Sequence, residues 1–308
     1  MSGRPDDKPD PVLPPFRSGA IAAPDLPLNP YSDETQPWPG LAERMTPRPD
    51  HGESSYKGND RLKGKRALVT GGDSGIGRAA AIAYAREGAD VAICYHPDEE
   101  PDARTVIALI EAEGRRAAAL PADIRDETAA RKVVDDAVAA LGGLDVLVLN
   151  AGRQQARKSI EDITSDDFDA TIKTNIYAPF WMAQQALGTL DKGASIILTS
   201  SVQAFSPSAD LFDYAQTKAA NRAFAQALAK QLAPRGIRVN AVAPGPFWTA
   251  LQVSGGQFPD ELPDFGADTP LGRAGQPVEI APIYVLLASD EASYITGEVY
   301  AATGGTGT

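Results

Sequence analysis

The octapeptide Thr70-Gly-Gly-Asp-Ser-Gly-Ile-Gly77 is the most informative segment of this chain. It follows the apolar run 67–69 and precedes an alanine-rich stretch, 78–86, that is typical of a helix. A strand that turns at once into a helix presents bare backbone N–H groups to an anion. Glycines permit the tight turn and the close approach of a pyrophosphate, because a Cβ would block both. Taken alone, the segment is either a dinucleotide-binding turn or an ordinary glycine-rich surface turn.

The composition of the 308-residue chain argues against several classes of protein. Its net charge of −12 disfavours nucleic acids and anionic membranes as partners, because both require basic patches. No apolar run reaches the ~18–20 residues of a membrane-spanning helix. Cys94 is the single cysteine, which excludes an internal disulfide and, with only His51 and His96 beside it, disfavours a metal centre. We therefore expect a cytoplasmic protein without membrane, nucleic-acid or metal partners.

The first 60 residues differ in kind from the rest of the chain. Twelve of the 25 prolines fall within the first 49 residues, and proline continues neither a helix nor a central strand. We predict an extended proline-rich arm over 1–60, followed by a single domain over 61–308. The arm is either a solvated tail or a segment packed on its own domain or on a neighbouring subunit. The second reading rests on its large apolar residues, Phe16, Tyr31, Trp38 and Tyr56.

From Leu62 onward, short apolar runs alternate with longer amphipathic stretches. The run 144–149, LDVLVL, is almost wholly apolar, as expected of a strand that is buried on both faces. Strands are predicted at 67–69, 91–95, 117–120, 144–149, 195–199, 237–242 and 298–301. Their alternation with helices predicts the α/β class, with a single doubly wound (Rossmann) seven-stranded parallel sheet.

Ligands of such a sheet bind at the carboxyl ends of its strands. The residues that follow the predicted strands are glycines or polar residues in nearly every case. They are the glycine turn 70–77, Asp123 with Ile124, Asn150 with Ala151 and Gly152, Ser200 with Ser201, and Pro244 with Gly245. We expect these residues to line one crevice.

Tyr214 and Lys218 are four residues apart on a predicted helix, so both side chains project from one face. They are either an exposed pair or an acid–base pair. A phenol has a pKa near 10, and a neighbouring ammonium favours its charged form and lowers that pKa. Ser201 precedes Tyr214 by thirteen residues and ends a strand, where its hydroxyl can reach the same substrate oxygen.

Together, these motifs resemble those of the short-chain dehydrogenase/reductase superfamily. The motifs are Thr70-Gly-x-x-x-Gly-x-Gly77, Asn150-Ala-Gly152, Ser201, Tyr214-x-x-x-Lys218 and Pro244-Gly245. The match runs from about Leu62 to the C-terminus. The arm and TGGDSGIGRA also resemble a bacterial subgroup of general oxidoreductases and aldehyde reductases. One departure is Leu149, which stands where the family usually has the first of two asparagines.

The resemblance implies four catalytic residues. Tyr214 is expected to be the general acid in carbonyl reduction and the base in alcohol oxidation. Lys218 is expected to lower the pKa of Tyr214 and to hydrogen-bond the nicotinamide ribose, and Ser201 to polarise the carbonyl. Asn175 matches an asparagine that holds a proton-relay water, although it also fits a helix kink or cap.

The glycine pattern and the resemblance also imply the residues that bind the cofactor. They are Gly71, Asp73, Ser74, Gly75, Ile76, Gly77, Tyr95, His96, Asp123, Ile124, Asn150, Ala151, Gly152, Tyr214, Lys218, Pro244, Gly245, Phe247 and Thr249.

The choice between NAD and NADP is expected to depend on Tyr95 and His96, about 20 residues beyond the turn. An Asp there would indicate NAD and an Arg NADP, and neither is present. Ser74 stands where many NADP-binding relatives carry a basic residue, and Asp73 and Asp98 add negative charge. These features tilt the prediction toward NAD(H), with NADP(H) as the alternative because His96 can accept a phosphate.

Substrate contacts are expected from 153–155, 205–212 and the long loop 247–265. In that loop, Trp248, Phe258 and Phe265 are either walls of the pocket or core packing. Arg153 either pairs with an anionic substrate group or is a solvated loop arginine.

The whole pattern predicts an NAD(P)-dependent oxidoreductase that interconverts a small-molecule carbonyl and an alcohol by hydride transfer. The alternative is a dinucleotide-binding sensor or scaffold on the same fold, although such proteins tend to lose the Tyr/Lys pair. The resemblance also implies a homo-oligomer, commonly a tetramer. Its contact faces are expected on the helices that carry Phe180, Trp181, Tyr214 and Phe224.

Overall fold

The computed structural model describes residues 31–308, and within them seven strands form one parallel sheet. The strands are β1 (Arg66–Thr70), β2 (Asp90–Tyr95), β3 (Ala117–Pro121), β4 (Val146–Leu149), β5 (Ser195–Thr199), β6 (Arg238–Pro244) and β7 (Val299–Ala302). Their order across the sheet is β3-β2-β1-β4-β5-β6-β7, which confirms the predicted doubly wound fold. The order reverses between β1 and β4, and a ligand crevice opens at such a reversal.

Helices cover both faces of the sheet. They are α1 (Gly75–Arg86), α2 (Glu100–Ala112), α3 (Glu127–Leu141), α4 (Ser165–Ile172), α5 (Ala178–Ala186), α6 (Phe212–Leu232) and α7 (Pro277–Ala288). Apolar residues of α1, α2 and α7 pack in one core on the first face, and those of α3, α5 and α6 pack in a second core on the other. The central strands β1, β4, β5 and β6 are therefore apolar on both sides.

The helical region predicted over Asp166–Leu190 is divided by a π-helical segment, Lys173–Tyr177, between α4 and α5. Such segments widen the helix by one residue and occur mostly at functional sites. Asn175 lies in this segment and is fully buried.

The described part of the arm, residues 31–60, packs against the domain. Tyr31 stacks on Trp248 with ring centroids 4.1 Å apart, and the indole N–H of Trp248 donates to the Pro47 carbonyl at 2.8 Å. Tyr56 donates a hydrogen bond to Glu87, which follows α1. Residues 31–60 are therefore packed on the domain and are not a solvated tail. Phe16 lies outside the described residues. The boundary between arm and domain at residue 60 stays a prediction.

No helix within residues 31–308 combines the length and the apolar character that crossing a bilayer requires.

Candidate active site

A cavity of about 760 Å³ lies at the carboxyl ends of the strands, over the point where the strand order reverses. The glycine turn forms its floor. Gly71 and Gly75 have φ angles of +62° and +51°, which residues with a side chain rarely adopt. A Cβ on Gly77 would lie 1.9 Å from the Gly71 carbonyl oxygen, so only glycine fits there. This bare backbone at the start of α1 fits the pyrophosphate of a dinucleotide.

Asn150 joins the glycine turn to the neighbouring strand ends. Its side-chain amide donates to the carbonyl oxygens of Thr70 (3.1 Å) and Gly71 (3.3 Å), and its Oδ1 accepts a hydrogen bond from Thr199 (3.1 Å). The Thr70 hydroxyl accepts hydrogen bonds from the backbone N–H groups of Asn150 and Ala151. These hydrogen bonds hold the ends of β1, β4 and β5 together, and Asn150, which links them, lines the cavity.

Ser201, Tyr214 and Lys218 meet at the same cavity. The Ser201 hydroxyl hydrogen-bonds the Tyr214 phenol. The Lys218 Nζ lies 5.3 Å from the centroid of the Tyr214 ring and donates to the Thr199 carbonyl at 2.8 Å. All three side chains are buried. The helical spacing of four therefore brings both side chains to the cavity, and they are not an exposed pair.

The pKa values of this pair are set by burial. Burial raises the pKa of Tyr214 to about 12, against the lowering by its hydrogen bond with Ser201. Burial also lowers the pKa of Lys218 to about 8. The net shift in the pKa of Tyr214 is therefore upward, and the lowering by Lys218 that the resemblance implies remains a prediction. The physical reason is that removal of water disfavours both charged forms.

Asn175 lies behind the cavity rather than in it. Its Oδ1 accepts the backbone N–H of Arg153 at 2.8 Å, and its amide donates to the Arg153 carbonyl and to the Thr217 hydroxyl. The Thr217 hydroxyl donates in turn to the Tyr214 carbonyl at 2.7 Å. Asn175 therefore ties the loop after β4 to the helix that carries Tyr214.

Most of the predicted site residues line this one cavity, and Gly77 and Asn175 are the two that do not. The lining set is Gly71, Asp73, Ser74, Gly75, Ile76, Tyr95, His96, Asp123, Ile124, Asn150, Ala151, Gly152, Ser201, Tyr214, Lys218, Pro244, Gly245, Phe247 and Thr249. Their roles in binding and catalysis remain predictions.

Two carboxyl groups, those of Asp73 and Glu99, line the end of the cavity beyond β2. Asp73 is fully buried, and neither of its carboxylate oxygens has a well-formed hydrogen bond within residues 31–308, whereas Glu99 is half-buried. Desolvation raises the pKa of both, repulsion from Asp102 raises that of Asp73 further, and repulsion from Asp73 raises that of Glu99 further. The Tyr95 hydroxyl is bound to Glu100, so this phenol is engaged outside the cavity.

The aromatic residues of the long loop have different positions. Trp248 is fully buried in the cluster with Tyr31 and does not line the cavity. Phe258 packs beside Leu211 and Tyr214, and Phe265 lines the cavity.

Arg153 is neither solvated nor free for an anionic substrate. Its guanidinium forms an ion pair with Asp167 at 2.8 Å, and 11% of its side chain is exposed.

Several cavity residues were missed by sequence reasoning. Trp38 and Pro39 reach the cavity from the arm and Arg125 follows β3, whereas Gln252 lies in the long loop that was predicted to contact substrate. Trp38 stood out only as a large apolar residue in a proline-rich segment. Nothing in the sequence near Trp38 indicates which part of the domain it contacts.

The similarity of this chain to known proteins agrees with the geometry of the site. Residues 71–307 match the family described as enoyl-(acyl carrier protein) reductase. The chain is 58% identical over 275 residues to the uncharacterized oxidoreductase YghA of Escherichia coli, covering 89% of this chain and 94% of that protein. It is 46% identical over 291 residues to a glucose and ribitol dehydrogenase homolog of Oryza sativa subsp. japonica, covering 90% and 96%.

Among solved structures, the fold is similar to a short-chain dehydrogenase from Burkholderia cenocepacia J2315 in complex with NADP. The TM-score is 0.74 at 41% identity, over 80% of this chain and 98% of that chain. The glycine turn, the arrangement of Ser201, Tyr214 and Lys218, and these similarities all indicate the same family. This chain belongs to the short-chain dehydrogenase/reductase superfamily and is an NAD(P)-dependent oxidoreductase acting on carbonyl and alcohol groups.

Proposed function

We propose that this enzyme interconverts the carbonyl and alcohol forms of a small, neutral polyhydroxy substrate, with Tyr214 as the residue that transfers the proton. The supporting observation is the convergence of Ser201, Tyr214 and Lys218 on the cavity that also holds the glycine turn. A sensor or scaffold on this fold has no need for a phenol and an ammonium group buried side by side. The oxidoreductase is therefore favoured over the binding-only alternative.

Tyr214 and Ser201 act on the same substrate oxygen. In reduction, the Tyr214 hydroxyl gives its proton to the carbonyl oxygen, and the Ser201 hydroxyl donates a hydrogen bond to it. At neutral pH the buried Tyr214 phenol carries the proton that reduction requires, although its pKa of about 12 makes it a weaker acid than a free phenol. In oxidation a phenolate must form, and the nearby Lys218 ammonium favours that charge.

Lys218 and Asn175 complete the arrangement. An ammonium has three donors, and Thr199 uses one, so Lys218 retains donors for the ribose hydroxyls of the cofactor. When bound, the nicotinamide cofactor supplies the hydride in reduction and accepts it in oxidation. Asn175 positions the loop after β4 and α6, and its role with a relay water remains a prediction.

For the cofactor we propose NADP(H) rather than the NAD(H) suggested by the sequence. The argument for NAD used the negative charges of Asp73 and Asp98. Asp73 is fully buried with a raised pKa, which diminishes its charge near neutral pH, and the Asp98 side chain is 72% exposed and lies beside His96. The Burkholderia relative binds NADP. Equal or tighter binding of NADH in a direct titration would contradict this choice.

The chemistry of the cavity supports a neutral polyhydroxy substrate. Gln252 is 8% exposed, and its Oε1 has no hydrogen-bond partner within the described chain. Four acidic residues also line the cavity, namely Asp260, Glu261 and Asp264 in the long loop and Asp268 just after it. Such acceptors bind hydroxyl donors and repel anions. The rice relative is named for glucose and ribitol, which are neutral polyhydroxy compounds.

We also propose a homo-oligomer whose contacts include the exposed aromatic residues of α5 and its neighbours. Tyr177 and Phe180 are 46% and 47% exposed, and the Phe180 ring lies 6.3 Å from that of Phe224 on α6. Light scattering on the full chain tests this proposal, and a monomer at micromolar concentration would contradict it. The cytoplasmic location remains a prediction.

The proposed roles are tested by following NADPH and NADH absorbance with a panel of aldehydes and sugars. Tyr214→Phe is expected to lower kcat by at least ~100-fold, because it removes the acid–base group, while the cofactor Kd stays within about twofold. Tyr294→Phe is the matched control, since Tyr294 is fully exposed, and it should change neither value. Full activity of Tyr214→Phe would overturn the mechanism.

The substrate class is tested by a pair of similar size. Glycolaldehyde carries a hydroxyl where glyoxylate carries a carboxylate. We expect kcat/KM to be at least ~10-fold higher for glycolaldehyde, and a preference for glyoxylate would overturn the assignment.

A further inference from the structure

The arm carries a short closed loop, Gln36–Leu41, with Trp38 near its tip. The Gln36 side chain closes the loop, because its amide N–H donates to the Leu41 carbonyl at 3.1 Å and its Oε1 accepts the Leu41 N–H at 2.8 Å. Gly40 has a φ of +78°, which a side chain rarely adopts. The position of Trp38 on the arm is therefore fixed by the loop's own hydrogen bonds.

Two contacts attach this loop, at its start and directly after its end, to two different elements of the domain. On one side, the Gln36 backbone N–H donates to the Val253 carbonyl at 2.8 Å, in the long loop of the substrate side. On the other side, the Ala42 backbone N–H donates to the Asp102 carboxylate at 2.6 Å, in the first turn of α2. The loop is thus held between two elements of the domain, and its residues Trp38 and Pro39 line the cavity.

Trp38 lines the cavity where the adenosine half of a dinucleotide is expected. The cavity wall there also includes His96, Asp123 and Ile124. The Trp38 ring meets the His96 ring edge-on with centroids 5.0 Å apart. The guanidinium groups of Arg125 and Arg153 lie 5.7 Å and 5.4 Å from the centroid of the indole. Both guanidinium groups are paired with carboxylates, Arg125 with Asp123 and Arg153 with Asp167, so the partly buried indole is the group at this wall that fits the aromatic face of a ligand.

We propose that Trp38 is a cofactor-binding residue, contributed by the arm, that covers the adenine. Base–aromatic stacking provides the affinity, because every base has a π-face that an indole can contact. The arm then belongs to the dinucleotide site as well as to the packing of the domain. The proposal rests on the proposed use of NADP(H).

The test is a binding measurement, independent of turnover. Isothermal titration compares wild type, Trp38→Ala and Trp38→Phe with two probes: 2′-phospho-ADP-ribose, which lacks the nicotinamide, and reduced nicotinamide mononucleotide, which lacks the adenosine. Trp38→Ala is expected to weaken the binding of 2′-phospho-ADP-ribose about 10-fold and to leave the binding of the mononucleotide unchanged. Trp38→Phe keeps an aromatic face and should stay within about threefold of wild type.

The outcomes separate this proposal from the function on which it rests. If wild-type protein binds neither NADPH nor NADH, the proposed function itself fails. If wild type binds NADPH but Trp38→Ala binds both probes as wild type does, or loses both equally, the role of Trp38 is wrong. Tighter binding by Trp38→Ala would show that the indole blocks the site, and would also overturn the proposal. Tyr294→Ala, on an exposed side chain, is the control for nonspecific effects of removing an aromatic ring.

Discussion

The Lys218 ammonium lies 5.3 Å from the centroid of the Tyr214 ring, and both groups are buried against the end of β5. Burial disfavours the charged form of each group, so it lowers the pKa of Lys218 and raises the pKa of Tyr214. The site is therefore strained electrostatically in the absence of ligands. Ribose hydroxyls that accept hydrogen bonds from Lys218, or a cationic nicotinamide ring beside Tyr214, would relieve part of that strain when the cofactor binds.

Lys218→Met is expected to make the protein more stable and nearly inactive. With a pKa near 8 in the folded state and 10.5 as the reference, burial of the charged lysine costs up to about 3 kcal/mol at neutral pH. Between pH 8 and pH 10.5 the unfolded chain holds the proton and the native protein does not. The wild type therefore gains stability as pH rises through this window, and the advantage of Lys218→Met shrinks.

Urea unfolding of both proteins at pH 7 and pH 9.5 measures this difference. The raised pKa of Tyr214 acts on both proteins at the high end, so the comparison of the two isolates Lys218. A stability difference that does not change with pH would contradict the prediction.

Gly77→Ala is expected to disrupt the glycine turn. Its new Cβ would lie 1.9 Å from the Gly71 carbonyl oxygen and 2.5 Å from the Asn150 amide nitrogen. We expect a loss of about 1–3 kcal/mol in the free energy of unfolding and at least ~10-fold weaker cofactor binding. Gly188→Ala is the control, because its Cβ meets only Gln185 at 3.7 Å, and it should stay within ~0.5 kcal/mol. Equal effects of the two substitutions would show that the turn tolerates a Cβ.

Glu87→Gln is expected to loosen the arm. The Glu87 carboxylate is fully buried and accepts hydrogen bonds from Arg61 and Tyr56 and from the backbone N–H of Asn59. Loss of its charge leaves Arg61 without its ion-pair partner, at a cost of about 3 kcal/mol. Tyr56→Phe removes a single donor and should cost about 1 kcal/mol. Thermal unfolding together with limited proteolysis of residues 31–60 measures both variants.

The same carboxylate makes the arm sensitive to acid. Burial alone would raise the pKa of Glu87, but the hydrogen bonds from Arg61 and Tyr56 outweigh it and lower the pKa to about 2. Its stabilising contribution is complete above the reference pKa of 4.5 and is lost as pH falls from 4.5 toward 2. Proteolysis of the arm should therefore accelerate below pH 4.5 in wild type, and much less in Glu87→Gln. Equal acceleration in both proteins would assign the acid effect to other groups.

Much of the site was predictable because its motifs are local. The turn 70–77 encodes its conformation in glycines that have positive φ or no room for a Cβ, and Tyr214 and Lys218 share a helix face through a spacing of four. The placement of the glycine turn and of Ser201 after strand ends followed from the parallel topology, since the carboxyl ends of such strands meet at one edge. The division of the helix around Asn175 was not predictable, because the segment 173–177 has no proline or glycine to mark it.

By itself, the sequence determined the strands, the glycine turn and the common helix face of Tyr214 and Lys218, because each depends on residues a few positions apart. Only the tertiary structure decided that Arg153 pairs with Asp167, that Asp73 is buried without a well-formed hydrogen bond, and that Trp38 reaches the cavity. Burial and long-range contact decide these three features. The arm meets Asp102 and Val253 across 60 and more than 200 residues of chain, respectively. No local pattern carries that information, since the contact exists only once the sheet has brought α2 and the long loop to the same edge.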